Sequence, residues 1–413
     1  MERVRVVVVG GGPAGLATAT FLRRLRPELA AGEVVVLEKE RYPREKICAG
    51  AIGGRAEKIL ARYGVEVSCP EAPFDGIEVV FEAGVVRGRV PGCGRVVRRI
   101  EYDAAWARAA EDAGVEVRQG VTVRTVRRRG SALAPAVEVD TDQGRLRAEV
   151  VVGADGVGSV VRAALGVPRG RLRAQAVEVD TPAAPGDPPR DVLRFDLSDL
   201  RYPGYAWDFP TVVAGRPLVS RGVYRLRAPG ERALDAGALL DRHLAGVGID
   251  PAEAGRRRRF AERAWEPHRP YAAPGVLLVG EAAGIDGATG EGIAQAIQYG
   301  DLAARYLAER LPSAERSFRD WPARVARSTL GIDLRLRRAL LAGLYGQERK
   351  AAGRMVVAAP SLLHVLMTKF AGQPLPLGEA FRALPTLGRI ALRTGFDPSR
   401  VPGLLAPQER LVG

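Results

Sequence analysis

Three glycines near the N-terminus, Gly10-x-Gly12-x-x-Gly15, have the spacing that holds a phosphate. Gly10 suits a tight turn, Gly12 lets a pyrophosphate reach the backbone, and Gly15 lets a helix pack on a strand. Pro13 and Ala14 lie between them, and the N-terminus of the helix that follows has N–H groups and a dipole that favour an anion. Glu38 follows Gly15 by 23 residues, where a carboxylate can accept both hydroxyls of an adenosine ribose. This is dinucleotide-binding chemistry. Two further acids stand where an apolar run meets small residues: Asp155 in Gly153-Ala154-Asp155-Gly156, and Glu281 in Gly280-Glu281-Ala282-Ala283-Gly284. A strand-end carboxylate in a glycine-rich turn is either a ligand contact or part of an ordinary turn. The histidines His243, His268 and His364 fall outside every such cluster, so neither a Ser-His-Asp triad nor a histidine metal site is expected.

The elements that must position these residues are legible. Val4–Val9 is an unbroken β-branched run, the pattern of a strand buried on both faces, and Leu16 to Leu25 is helical in character. Val34–Leu37 is a second such strand ending at Glu38. A basic, glycine- and alanine-containing loop, Arg41 to Ala51, follows the ribose acid and can lie along a cofactor. A helix is expected from about Arg55 to Tyr63, then antiparallel strands at Gly76–Glu82 and Val85–Val90, then a helix from Ala104 to Ala113. Strands are expected at Val115–Val117, Val121–Val126, Ala136–Asp140 and Leu146–Val152, the last running into Asp155. Short alternating runs between Arg171 and Glu262 read as an antiparallel sheet. Val276–Val279 returns to the first domain, and Asp286-Gly287-Ala288-Thr289-Gly290-Glu291-Gly292 opens a long helix from Ile293 to Leu311. Beyond Ala314 the pattern is helical and arginine-rich, with amphipathic stretches at Ile332–Tyr345 and Met355–Phe370, then Pro374-Leu375-Pro376-Leu377.

At 413 residues the chain is long enough for two or three domains with a sizeable core. No run of eighteen apolar residues exists, so no membrane-spanning helix is expected, and the N-terminus reads as the first sheet strand, not a signal peptide. Cys48, Cys69 and Cys93 lack zinc-like spacing and are odd in number, which fits a reducing cytoplasm. The formal charge of +14 is almost all arginine. With no binding module and no interleaved aromatics, a nucleic-acid partner is not expected. Solvated arginines, a pull toward anionic ligands and contact with an anionic membrane surface remain as readings.

The three strand-to-glycine turns resemble the flavoprotein hydroxylase fold of the para-hydroxybenzoate hydroxylase type and, within it, the geranylgeranyl reductase family. The resemblance covers about residues 1–312. It implies an α/β chain: a Rossmann-like FAD-binding domain with an antiparallel-sheet substrate domain and C-terminal helices. The implied FAD domain is discontinuous (1–75, 95–170 and 265–315), the substrate domain takes 76–94 and 171–264, and 316–413 is helical. The segment ending in Asp103 resembles the family's Arg-x-x-Phe-Asp signature and puts Arg99 near the cofactor. Gly153–Gly156 with Ser159 and Arg162 matches the second fingerprint, and Gly280–Gly292 the third, whose acid binds the ribityl chain. The implied cofactor-binding set is Gly10, Gly12, Pro13, Ala14, Gly15, Glu38, Lys39, Cys48, Ala49, Arg99, Val123, Asp155, Gly156, Gly280, Glu281, Gly290, Gly292 and Ile293.

Tyr205-Ala206-Trp207-Asp208-Phe209-Pro210 matches the Tyr-x-Trp-x-Phe-Pro motif of these reductases. Alternation along a strand would make Tyr205, Trp207, Phe209 and Pro210 a rigid apolar substrate wall with Asp208 pointing away; a core strand without ligand contact is the plainer reading. Cys48-Ala49-Gly50 resembles the family's Cys-Gly-Gly loop and makes Cys48 the candidate catalytic proton donor, against a buried inert thiol. Three departures stand out. Glu281 replaces the usual aspartate, the loop to Gly290-Glu291-Gly292 is one residue short and lacks its proline, and Ser220-Arg221-Gly222 stands for Gly-x-Gly. The expected function is FAD-dependent reduction of C=C bonds in an isoprenoid or similar small apolar substrate. NAD(P)H or another external reductant would serve as transient donor, since no second dinucleotide motif is visible. The alternatives are a monooxygenase acting on an aromatic or secondary-metabolite substrate and a non-enzymatic flavin- or lipid-binding protein. A halogenase is disfavoured, because no lysine lies between Lys58 and Lys350 and the Trp-x-Trp-x-Ile-Pro motif is absent. The chain is expected in the cytoplasm with peripheral membrane contact, its oligomeric state open.

Overall fold

The protein was analysed as a computed structural model, which describes residues 1–130, 135–168, 170, 173–227, 234–267, 269–346 and 348–375. His268, Pro376, Leu377 and the rest of 376–413 lie outside the described residues.

Two eight-stranded sheets carry the molecule. At the centre of the first, Glu2–Val9 pairs in parallel with Val34–Glu38 on one side and Gly144–Gly153 on the other. Val6, Val7 and Val8 have no exposed surface, which is why the run does not alternate. Val276–Leu278 and Glu116–Gln119 extend the parallel set, and Val123–Gly130 with Pro135–Thr141 forms an antiparallel extension. The helices Pro13–Leu25 and Ile293–Arg310 pack against each other. A Cβ at Gly300 would lie 2.3 Å from that of Ala17, so only glycine allows this approach.

The second sheet runs in the order Arg258–Arg263, Arg173–Thr181, Arg216–Arg227, Gly204–Val213, Val192–Asp196, Glu71–Phe81, Gly84–Val97, Ala51–Gly53. It is not wholly antiparallel. Val192–Asp196 pairs in parallel with Glu71–Phe81. More than a hundred residues separate these strands, so no hairpin turn dictates their direction. The strands Glu71–Phe81 and Gly84–Val97 are also longer than their glycines and prolines imply, because a register shift between Phe74 and Gly76 absorbs the irregularity as a bulge.

The faces of this sheet differ. Val177, Val179, Ala206 and Val223 pack under the helix Ala236–Gly246 through Leu239, Leu240 and Leu244. The other face gathers Ala174, Ala176, Tyr205, Trp207, Phe209, Tyr224 and Leu226 into a separate cluster. Leu363 and Met367 of the helix Ser361–Phe370 close over part of it. The amphipathic stretch Met355–Phe370 falls on two helices, Arg349–Ala358 and Ser361–Phe370, which meet at 90°. Pro360 stands at the break, where it has no N–H to carry the first helix onward. Among the described residues no single helix is long and apolar enough to cross a membrane.

Candidate active site

The three glycine-rich turns, separated by up to 270 residues in sequence, meet at one place. Gly10 adopts φ +104°, and a Cβ there would lie 2.5 Å from the Ala154 carbonyl oxygen. A Cβ on Gly15 would lie 1.9 Å from the Gly10 carbonyl oxygen, and one on Gly280 would lie 2.6 Å from the Ala14 Cβ. Gly12 differs. Its nearest neighbour would be an Arg99 nitrogen at 4.0 Å, so the backbone before the helix Pro13–Leu25 faces open space. Gly12 is that helix's N-cap and has no capping side chain, which leaves the first-turn N–H groups for an anion.

Glu38, only 5% exposed, accepts from Gly11 N at 2.9 Å and Glu40 N at 3.1 Å through different oxygens. A carboxylate has about four acceptor sites, so capacity for a ribose remains. Arg44 lies 3.4 Å from Glu38 and 3.0 Å from Asp103, and donates to the Gly11 carbonyl at 3.3 Å. Tyr42 donates to the same carbonyl. Arg99 grips Asp103 one helical turn away with bonds of 2.6 and 2.7 Å, which holds a buried cation over the loop. The sequence marks the 41–51 loop as basic; that Arg44 bridges two acids beneath the glycine loop is visible only in three dimensions. Lys39 lies outside this web, largely exposed beside Glu40. Val123 is a buried strand residue of the first core.

Asp155 is engaged within its own turn. It accepts from Ser159 Oγ at 2.5 Å, Val160 N at 2.6 Å and Val161 N at 3.2 Å, while Ser159 itself caps the helix Val160–Ala164. A Cβ on Gly156 would lie 3.8 Å from Glu281 Oε2, which brings the second and third turns together. Glu281 Oε1 is buried with no hydrogen-bond partner, and burial holds the carboxyl above its ordinary range, partly countered by Lys46. An orphaned acceptor at the position assigned to the ribityl chain is what a hydroxyl-rich ligand would satisfy. With the open backbone at Gly12, it shows that the residues present fit FAD.

The loop that follows is held by its own acid and by the C-terminal helices. Asp286 accepts from Ala288 N at 2.6 Å and Thr289 N at 3.1 Å. Arg337, from the helix Thr329–Tyr345, reaches Asp286 at 2.9 Å and Thr289 Oγ1 at 2.7 Å and pairs with Glu291. Tyr345 donates to the Ala288 carbonyl at 2.7 Å. These bonds from outside the loop brace a segment that lacks its proline. Gly290 then turns with φ +69°, Gly292 caps the helix Ile293–Arg310, and Ile293 is buried.

The aromatic face of the second sheet abuts this loop. Tyr205 donates to the Thr289 carbonyl at 2.6 Å and stacks on Tyr224 at 5.2 Å between centroids. Phe195 lies 5.4 Å from Tyr205 and 5.0 Å from Phe209, and Trp207 lies 6.4 Å from Phe209. A Cβ on Gly222 would lie 2.1 Å from the Trp207 ring, and Trp207 Nε1 is 3.4 Å from Ser220 Oγ. Gly222 therefore admits the indole, and Ser220 offers its N–H a partner. Asp208 points to the opposite face, where it meets Arg221 at 2.6 Å and His243 at 2.9 Å. Cys48 is half-buried, and burial raises its thiol, with Arg99 opposing and Glu178 reinforcing the shift. A thiol so placed stays protonated at neutral pH.

Residues 3–187 match the FAD binding domain family. The chain is 29% identical to a menaquinone reductase from Mycolicibacterium smegmatis over 74% of its own length and 76% of the relative's. It is 25% identical to a digeranylgeranylglycerophospholipid reductase from Thermoplasma volcanium, over 77% and 81% of the two chains. A rifampicin monooxygenase from Streptomyces venezuelae is 28% identical over 69% and 60%. In fold it is similar to a geranylgeranyl bacteriochlorophyll reductase-like protein from Thermoplasma acidophilum, with a TM-score of 0.68, 20% identity and coverage of 95% and 100%. The protein is an FAD-dependent oxidoreductase. Its motifs, sequence relatives and fold agree in likening it to the geranylgeranyl reductase family.

Proposed function

We propose that the protein reduces a C=C bond in an isoprenoid-like, apolar substrate. The observation that carries this reading is the aromatic floor, joined to the 286–292 loop by the Tyr205–Thr289 bond. Side-chain alternation continues the floor from Tyr205 through Phe195 and Val79 to Phe81. There it reaches a cavity of about 330 Å³ lined by Phe81, Leu197, Leu200 and Leu344 together with the charged Glu82, Arg349, Lys350 and Arg354. An apolar strip that starts at the 286–292 loop, the redox loop of this reading, and ends in a side cavity suits a chain laid lengthwise.

FAD, when bound, would supply hydride chemistry. Gly12 and the helix Pro13–Leu25 would take its pyrophosphate, Glu38 its adenosine ribose, and Glu281 its ribityl hydroxyls. Arg99 and Arg44 would add positive charge beside the phosphates. The floor would orient the substrate and keep water away from the reacting carbons. Cys48 is a candidate donor of the single proton needed. The electrons would come from NAD(P)H or another external reductant visiting transiently.

The test is anaerobic. Chemically reduced enzyme is mixed with a geranylgeranyl-bearing lipid, and flavin reoxidation is followed together with product mass. A gain of two hydrogens supports the reading. Labelled oxygen in the product of an aerobic reaction, with no saturation under anaerobic conditions, moves the assignment to a monooxygenase, the activity named for the Streptomyces relative.

A further inference from the structure

We propose that Glu262, acting through the Tyr224 hydroxyl, is the proton donor that completes this reduction. The inference rests on the reductase reading and goes beyond it by assigning a residue outside all three glycine fingerprints and outside the Cys48 loop.

Register places the pair. Ala174 lies opposite Glu262 on one side and Leu226 on the other, while Tyr224 pairs with Tyr205. Glu262, Tyr224 and Tyr205 therefore share the face that carries the aromatic floor. Glu262 is 3% exposed, and the Tyr224 hydroxyl donates to its Oε1 at 3.0 Å. The same hydroxyl is 3.4 Å from the Gly287 carbonyl. A Cβ on Gly290 would lie 3.2 Å from the Tyr224 ring. The phenol thus stands where floor and redox loop touch. The end of the strand Arg258–Arg263 is pinned to that loop: Trp265 N donates to the Ile285 carbonyl at 2.7 Å, and Ile285 N to the Arg263 carbonyl at 3.1 Å. The backbone that carries the acid is thus fixed against that loop, and the Tyr224 hydroxyl holds its carboxyl.

The surroundings favour the protonated form. Burial, with Glu281 and Asp286 adding negative charge, holds the Glu262 carboxyl well above the ordinary carboxylate range. The hydrogen bond from Tyr224 and the Lys46 ammonium oppose this shift; that ammonium lies 4.6 Å over the Phe260 ring, two residues along the same strand face. Burial likewise pushes the Tyr224 phenol up, which disfavours its ionised form. The Tyr205 hydroxyl is already committed to Thr289. In the balanced step the alkene would gain a hydride at one carbon, with FAD supplying that chemistry when bound, and a proton at the other as the π bond breaks. That proton would come from Tyr224, whose hydrogen bond to Glu262 reverses as the carboxyl hands on its own proton, and the carboxylate would be reprotonated from solvent between turnovers. The reductant loses two electrons and the alkene gains them.

Two readouts test this on the FAD-loaded protein. Infrared spectra at neutral pH are expected to show a protonated-carboxyl C=O band, shifted in D2O, that Glu262→Gln removes and Glu281→Gln retains. In single-turnover mixing with a geranylgeranyl lipid, Glu262→Gln and Tyr224→Phe are expected to slow flavin reoxidation by about 100-fold or more, the usual worth of a general acid. FAD affinity should be unchanged, which separates this loss from misfolding. A carboxylate at position 262 at neutral pH, or wild-type rates in both variants, overturns the proposal. A wild-type enzyme inert toward every prenyl acceptor, with the band present, overturns the reductase reading instead.

Discussion

Gly12 and Gly15 belong to one motif but answer to different demands. Gly15 serves the fold, since a Cβ there meets the Gly10 carbonyl at 1.9 Å; Gly12 serves the ligand, since no neighbour lies closer than 4.0 Å. Gly15→Ala is expected to cost about 1–3 kcal/mol or more through overpacking, read by denaturant unfolding. Gly12→Val should fold with near-wild-type stability and fail to retain FAD, read from the flavin absorbance of purified protein. At Glu281 the cofactor and the apoprotein pull in opposite directions. Its carboxyl is raised above the reference value of 4.5. The native state therefore binds the proton more tightly than the unfolded chain, and stability falls as pH rises through the raised pKa. Glu281→Gln is expected to raise the apoprotein melting temperature at neutral pH, with the gain vanishing below pH 4.5, while FAD retention falls. A gain that persists in acid would show that the carboxyl's titration is not its source.

Among the elements, the helix Thr329–Tyr345 does most to fix the redox loop. Arg337 faces Asp286, Glu291 and Asp333, and Asp333 also meets Arg55 at 3.4 Å and pairs with Lys369 of the helix Ser361–Phe370. The redox loop, the C-terminal helices and the helix Gly54–Arg62 thus share one half-buried ionic web. Removing its central cation leaves buried acids uncompensated. Arg337→Met is expected to destabilise by about 3–5 kcal/mol in chemical denaturation and to weaken FAD binding as the loop loosens. Unchanged stability would mean that the web is replaceable by water.

Among the described residues many arginines are tied up in ion pairs, including the buried Arg99–Asp103 and Arg221–Asp208 pairs. Others remain on the surface beside apolar side chains. Ile332, Leu336 and Leu340 are exposed by 47%, 48% and 37% and stand four residues apart on one helix, next to exposed Arg335 and Arg338. We propose that this stripe touches an anionic membrane surface, the surroundings in which a lipid-like substrate would be met. Cosedimentation with vesicles containing phosphatidylglycerol should exceed that with neutral vesicles, fall with salt, and be lost in Leu336→Glu. Equal binding to both vesicles would remove the charge argument.

Sequence by itself determined the dinucleotide fold, because a doubly buried strand, a glycine turn and a helix start are local events with local signatures. Val4–Val9, Gly10–Gly15, Glu38 and the strand-to-glycine turns at Asp155 and Glu281 were all legible for that reason. Tertiary structure alone decided the rest. The parallel pairing of Val192–Asp196 and the bracing of the loop by Arg337 depend on segments far apart in the chain. Glu262 shows why most clearly. Alternation with Phe260 tells that both share a face, but which face meets the redox loop is set by strand register and by the Ala264–Ile285 bridge. Register is a long-range property, and no local pattern in an arginine-rich edge strand encodes it.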